Sequence, residues 1–164
     1  MGTTYKILIL GASYGSLLGV KLALAGHTVK LVCLPEEIAL INAEGARVRM
    51  PARGVDGLVE LNSQDASGDL SAAGPGDVNP ADFDLIGLAM QDPQSGVPAV
   101  RDLLDRVSAS RVPCMSIMNM PPPPYLARIP GLDAGALNDC YTDHAIWENF
   151  DPALMTLCSP DAQA

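Results

Sequence analysis

Apolar positions in the opening third of the chain change period twice within about thirty residues, the length of one strand-helix-strand unit. Lys6-Ile7-Leu8-Ile9-Leu10 is a short continuous apolar run closed by Gly11, the pattern of a strand buried on both faces. Beyond Gly15, Leu17, Leu18, Leu22 and Ala25 follow helical steps up to Gly26, which predicts a helix starting near Gly15 and stopping at that glycine. Thr28-Val29-Lys30-Leu31-Val32-Cys33 returns to strand character. The unit is βαβ, with parallel strands and a right-handed crossover.

Pro35 suits the first turn of a second helix, carried by Ile38, Leu40 and Ile41 and ended by Gly45. Residues 46–50 and 57–61 read as the two strands of a short meander. Residues 62–82 are rich in Ser, Asp, Gly and Pro without an apolar period, and are expected to form a surface loop. A buried strand is predicted over 83–89, its helix over 98–107, and another strand over 112–118 that, given Pro113, begins late or lies near an edge. Pro121-Pro122-Pro123-Pro124 then breaks the regularity. The following residues are too apolar for a simple disordered tail, and Trp147 and Phe150 are expected to pack it against the sheet. The alternation predicts a doubly wound, mostly parallel α/β sheet over residues 1–120 and an irregular, proline-rich tail over 121–164.

The chain has 164 residues, 48% of them hydrophobic and 18% charged, enough for one core and too few for a complete two-domain dehydrogenase. No apolar run approaches the roughly 20 residues that cross a bilayer. The first residues lack the features of a secretory signal, so a cytoplasmic address is expected. A net charge of -9 argues against nucleic acid or an anionic membrane as a partner. That charge divides as +1 over residues 1–60, -6 over 61–110 and -4 over 111–164, which directs any anion site to the first third. Cys33, Cys114, Cys140 and Cys158 form no CxxC pair and are expected to be reduced thiols.

The candidate chemistry lies where the first strand meets the first helix. In a doubly wound sheet ligands bind beyond the carboxyl ends of the strands, and Gly11-Ala12-Ser13-Tyr14-Gly15-Ser16 occupies that place. Main-chain N–H groups at a helix start, reinforced by the helix dipole, suit a pyrophosphate. Gly11 permits the tight turn, whereas Gly15 and Gly19, one helical turn apart, let the helix approach strand one.

The segment from Lys6 to Gly19, followed by Leu22-Ala23-Leu24-Ala25-Gly26-His27, resembles the nucleotide-binding domain of the ketopantoate reductase family. The resemblance covers about residues 5–120. It implies the Rossmann-like domain of an NADP-dependent reductase of a 2-oxo acid or related carbonyl or imine, built with a second, helical domain. The chain's departures from the family pattern leave NAD as well as NADP open, and apolar surface where that domain would lie leaves self-association open. It further implies that Leu34, Gln91 and Asn119 stand at family cofactor positions. The chain departs from the pattern at several of them. Gly11 and Gly15 are one residue closer than in a GxGxxG fingerprint, and Ser13 replaces its middle glycine. Leu34 stands where the family carries an arginine for the ribose phosphate, and Gln91 where it carries a lysine. Glu36 or Glu37 could instead meet a ribose hydroxyl, or simply be solvated acids at a helix start. The family's proton-donating lysine belongs to the helical domain, and no lysine follows residue 120. The expectation is a cofactor-binding half, incomplete for catalysis alone.

Two other readings stay open on the residues. Gly11-Ala12-Ser13-Tyr14-Gly15 also fits GxSxG, the elbow of α/β-hydrolases, with Ser13 as nucleophile and Asp143 and His144 downstream. A nucleotide sensor without catalytic groups would keep the phosphate turn and tolerate the substituted positions. His27 reads as a turn residue. Cys140 and His144 lack a third ligand at metal spacing, so no metal is expected.

Overall fold

A computed structural model describes residues 2–158. Strands β1 (Lys6–Leu10) and β2 (Thr28–Val32) flank helix α1 (Ala12–Leu24), and helix α2 (Pro35–Glu44) leads into an antiparallel hairpin of β3 (Arg47–Pro51) and β4 (Leu58–Asn62). Strand β5 (Asp69–Ala73) precedes β6 (Leu85–Leu88), the single turn α3 (Asp92–Ser95), helix α4 (Pro98–Ser110) and strand β7 (Cys114–Ser116). The short helix α5 (Pro123–Leu126), three 3-10 turns and strand β8 (Met155–Leu157) complete the order.

The main sheet runs β5-β2-β1-β6-β7-β8, with every pairing parallel. The chain therefore winds outward from β1 in one direction, returns to β6, and winds outward in the other. Its switch point lies between β1 and β6, where a doubly wound sheet opens a crevice at its carboxyl edge.

Burial explains why β1 is continuously apolar. Ile7 and Ile9 face a cluster with Val20, Val29, Leu31 and Ile41, whereas Leu8 and Leu10 face Leu88, Leu103, Leu104, Val107 and Trp147. Helices thus cover both faces, and the alternate side chains of one strand fill two cores.

Three sequence expectations are corrected. Residues 62–82 are not simply a loop, because β5 within them pairs with β2 from Thr28↔Asp69 to Val32↔Ala73. Its small and polar residues suit an edge strand, with Ala72 buried and Leu70 half-buried, and so leave little apolar signal. Helix α1 begins at Ala12 rather than near Gly15, since Gly11 at φ 102 turns the chain in a single residue. The strand predicted over 112–118 is confined to Cys114–Ser116, consistent with Pro113 delaying it.

The region after residue 120 is irregular but is built into the domain. Ile146, Trp147, Phe150 and Met155 are buried in the core beside α4, with the Trp147 and Phe150 ring centroids 5.3 Å apart. Strand β8 extends the sheet by pairing Cys114↔Met155 through Ser116↔Leu157, and Arg128 donates to the Met155 carbonyl.

Candidate functional site

The carboxyl edge at the switch point is shaped by close approach. A Cβ on Gly11 would stand 2.6 Å from the Ala89 carbonyl oxygen, and one on Gly15 would stand 2.5 Å from Ile9 Cγ2. Both positions exclude side chains, so α1 starts directly over the junction of β1 and β6.

Of the first four N–H groups of α1, Gly11 N–H donates to the Val32 carbonyl at 2.9 Å. Those of Ala12, Ser13 and Tyr14 find no acceptor among the described residues. Ser13 and Tyr14 are exposed at this start. Three open donors and the positive end of a 13-residue helix dipole together give this corner the chemistry that suits an anion.

A recess lies on either side of that corner. A groove of about 570 Å³ is lined by Ala12, Ser13 and Ser16 of α1, Glu37 and Glu44 of α2, and Arg47 and Arg49 of β3, among others. A cleft of about 200 Å³ on the other side is lined by Tyr14, by Met90-Gln91-Asp92 beyond β6, and by Ile117-Met118-Asn119-Met120 beyond β7. The first turn of α1 belongs to both. Ligand sites commonly occupy about 300–1,000 Å³, so the cleft alone is narrow, while the two recesses together suit a long ligand bent over the amides.

The sequence candidates separate in space. Tyr14, Gln91 and Asn119 meet at the cleft, whereas Ala12, Ser13 and Ser16 meet at the groove. Gly11 and Gly15 act beneath the site by letting the backbone approach. Leu34 lines neither recess. It is 59% exposed at the N-cap of α2, where its N–H donates to Glu37 Oε2 at 3.0 Å. Glu37 thus closes a helix start, as half of a capping box whose other half Leu34 has no side-chain acceptor to make. Burial, and then Glu37 and Glu36, push the adjacent Cys33 thiol up to about 11, marking the β2 end as apolar and negative.

The serine-elbow alternative finds no support in the backbone. Ser13 is the second residue of an ordinary helix, and among the described residues only Arg111 has a positive φ outside glycine, so the strained nucleophile turn is missing. Asp143 is ion-paired with Arg101, and His144 lies 4.0 Å from Glu148.

The methionines and Ile117 of the cleft, and the arginines of the groove, escaped the sequence reading. The signal for the first group was positional: they immediately follow strands that end at the switch-point edge. Arg47 and Arg49 could be found only once the hairpin was seen folded against α1.

No family model and no curated protein matches the chain. Solved structures do. A protein of Ralstonia solanacearum MolK2 described as a ketopantoate reductase aligns with 97% of this chain and 46% of its own, at 18% identity and a TM-score of 0.63. The 2-dehydropantoate 2-reductase of Methylococcus capsulatus aligns with 82% of this chain and 38% of its own, at 20% identity and a TM-score of 0.48. The aspartate semialdehyde dehydrogenase II of Vibrio cholerae aligns at 10% identity and a TM-score of 0.42, covering 97% and 42%. The chain thus spans under half the length of these proteins. The fold is of the Rossmann type, similar to that of the Ralstonia protein.

Proposed function

We propose that this chain is the dinucleotide-binding part of an oxidoreductase that acts on a 2-oxo acid or a related carbonyl or imine. The observation that carries the reading is the open set of N–H groups at Ala12, Ser13 and Tyr14, set between two recesses at the switch point. In this reading those amides hold the diphosphate of NAD or NADP. The groove takes the adenosine half, and the cleft takes the nicotinamide beside Gln91 and Asn119. Both side chains are exposed at the cleft, and each offers an amide donor and an acceptor for a carboxamide or a substrate oxygen.

A nicotinamide cofactor, when bound, supplies or accepts hydride. The residues of this chain bind and orient it. The cleft lining holds no lysine or histidine, and its Asp92 is engaged by Thr142, so in this reading the proton that must accompany hydride transfer to a carbonyl comes from Tyr14 or from a second polypeptide segment or subunit. The lack of a basic side chain at the β2 end, where Glu37 lines the groove, favours NAD over NADP. A preference for NADP would instead assign Arg47 and Arg49 of the groove to its extra phosphate.

Fluorescence titration with NADH and NADPH tests the reading. Saturable binding, tighter for NADH, is expected, and esterase activity abolished by Ser13→Ala with no cofactor binding would replace it. Cofactor binding by this chain, with no turnover when any completing domain or subunit is also present, would favour a sensor.

A further inference from the structure

Two adjacent residues far along the chain reach both rims of the cleft. Tyr141, buried at 8% exposure, donates its hydroxyl to the Pro121 carbonyl at 2.6 Å, immediately beyond the Asn119-Met120 rim. Thr142 donates both its N–H, at 2.8 Å, and its hydroxyl to Asp92 Oδ2, the carboxylate next to Gln91 on the opposite rim. The next residue, Asp143, is ion-paired with Arg101 of α4, which anchors the segment to the helix. Neither Tyr141 nor Thr142 lines the cleft. They tie it from outside.

We propose that Tyr141 and Thr142 are positioning residues, a two-point brace that fixes the separation of the cleft rims and so the placing of Gln91 and Asn119. The inference rests on the dinucleotide reading for its consequence but not for its geometry. Gln91 and Asn119 stand on short connections beyond β6 and β7; Gln91 is the N-cap of α3, where its N–H donates to Gln94 Oε1 at 2.8 Å, and the Asn119 side chain makes no hydrogen bond among the described residues. Their positions are therefore set by the main chain that carries them. That main chain is held across the gap by a carboxylate taking two hydrogen bonds and a carbonyl taking one. Hydrogen bonds to a charged acceptor are the stronger kind, so the Thr142 end is the firmer. Burial, then Cys140 and Asp92, raise the Tyr141 phenol above its ordinary value, which keeps the proton it donates.

The test uses the full chain with Thr142→Val, Tyr141→Phe and the double variant, each nearly isosteric, and Thr142→Ser as the conservative control. The first readout needs no ligand: the side-chain amide resonances of Gln91 and Asn119. They are expected to shift or broaden in the double variant and to return with Thr142→Ser. The second readout compares NADH with ADP, which lacks the nicotinamide half. A loss of roughly tenfold in NADH affinity, with ADP affinity kept within about twofold, is expected from losing one to two hydrogen bonds' worth of positioning. Unchanged amide resonances in folded variants would overturn the brace, as would equal losses for NADH and ADP. Should the unmodified chain bind neither ligand, the dinucleotide reading fails and the resonances alone decide the brace.

Discussion

Gly15 of α1 lies so close to Ile9 of β1 that a Cβ there would stand 2.5 Å from Ile9 Cγ2. This contact fixes the height of the helix start over the sheet and hence the place of the three open amides. Ile9 is fully buried and has nowhere to turn.

Gly15→Ala should therefore destabilise the fold, although alanine is the better helix former. The helical preference is worth about 1 kcal/mol and overpacking costs about 1–3 kcal/mol, so a net loss of up to about 2 kcal/mol is expected by urea denaturation. The contact also predicts coupling: in an Ile9→Ala background the same substitution should become neutral or favourable. Additive losses in the double variant would show that the steric reading is wrong.

Trp147 separates shape from polarity. Its ring is 3% exposed, and its indole N–H has no partner among the described residues. Trp147→Ala should cost about 3–5 kcal/mol through the cavity it leaves. Trp147→Phe should cost far less, because removing an unsatisfied buried donor offsets part of the lost volume. Thermal melts of the two variants check this, and equal losses would contradict it.

The first βαβ unit was legible because β1 is buried on both faces and α1 is bounded by glycines, so pattern and punctuation agree. Strand β5 was hidden because an edge position built from Asp69, Ser71 and Ala72 needs few large apolar residues. Strand β8 was hidden because three residues are too short to show a period, and its pairing with β7 depends on a contact across about forty residues of irregular chain. The glycine turn was legible from its place between a first strand and a first helix, and Gln91 and Asn119 were picked out through the family resemblance; the structure sets both beside the cleft because each follows a strand ending at the switch-point edge. The hydrogen bonds of Tyr141 and Thr142 could not be placed from sequence, because they depend on how the irregular region folds back.

Asp151 makes a prediction for the acid limb of stability. The Ala153 N–H, and then the Arg111 guanidinium, hold its carboxyl below the ordinary 3.8. A lowered folded value means that its contribution is complete above the unfolded value and is lost as pH falls through the folded one. Asp151→Asn should flatten that part of the pH profile in urea melts and leave the neutral region less affected in slope. An unchanged acid limb would remove Asp151 from the account.

The thiols should differ in reactivity. Burial pushes Cys114 up to about 12, and burial with Glu37 and Glu36 pushes Cys33 up to about 11, from an ordinary 9.0. A rise of two units leaves roughly a hundredfold less thiolate at neutral pH. Exposed Cys140 should therefore be alkylated by iodoacetamide well before either. Peptide mass mapping over time checks the order, and early labelling of Cys33 would contradict it.

The central claim is that the amides at the start of α1 receive a diphosphate. Titrating nitrogen-labelled chain with NADH while following backbone amide resonances tests it directly. Saturable downfield shifts at Ala12, Ser13 and Tyr14, reproduced by ADP, are the predicted result. Binding that leaves those three resonances unmoved, or no saturable binding of either ligand, would contradict it.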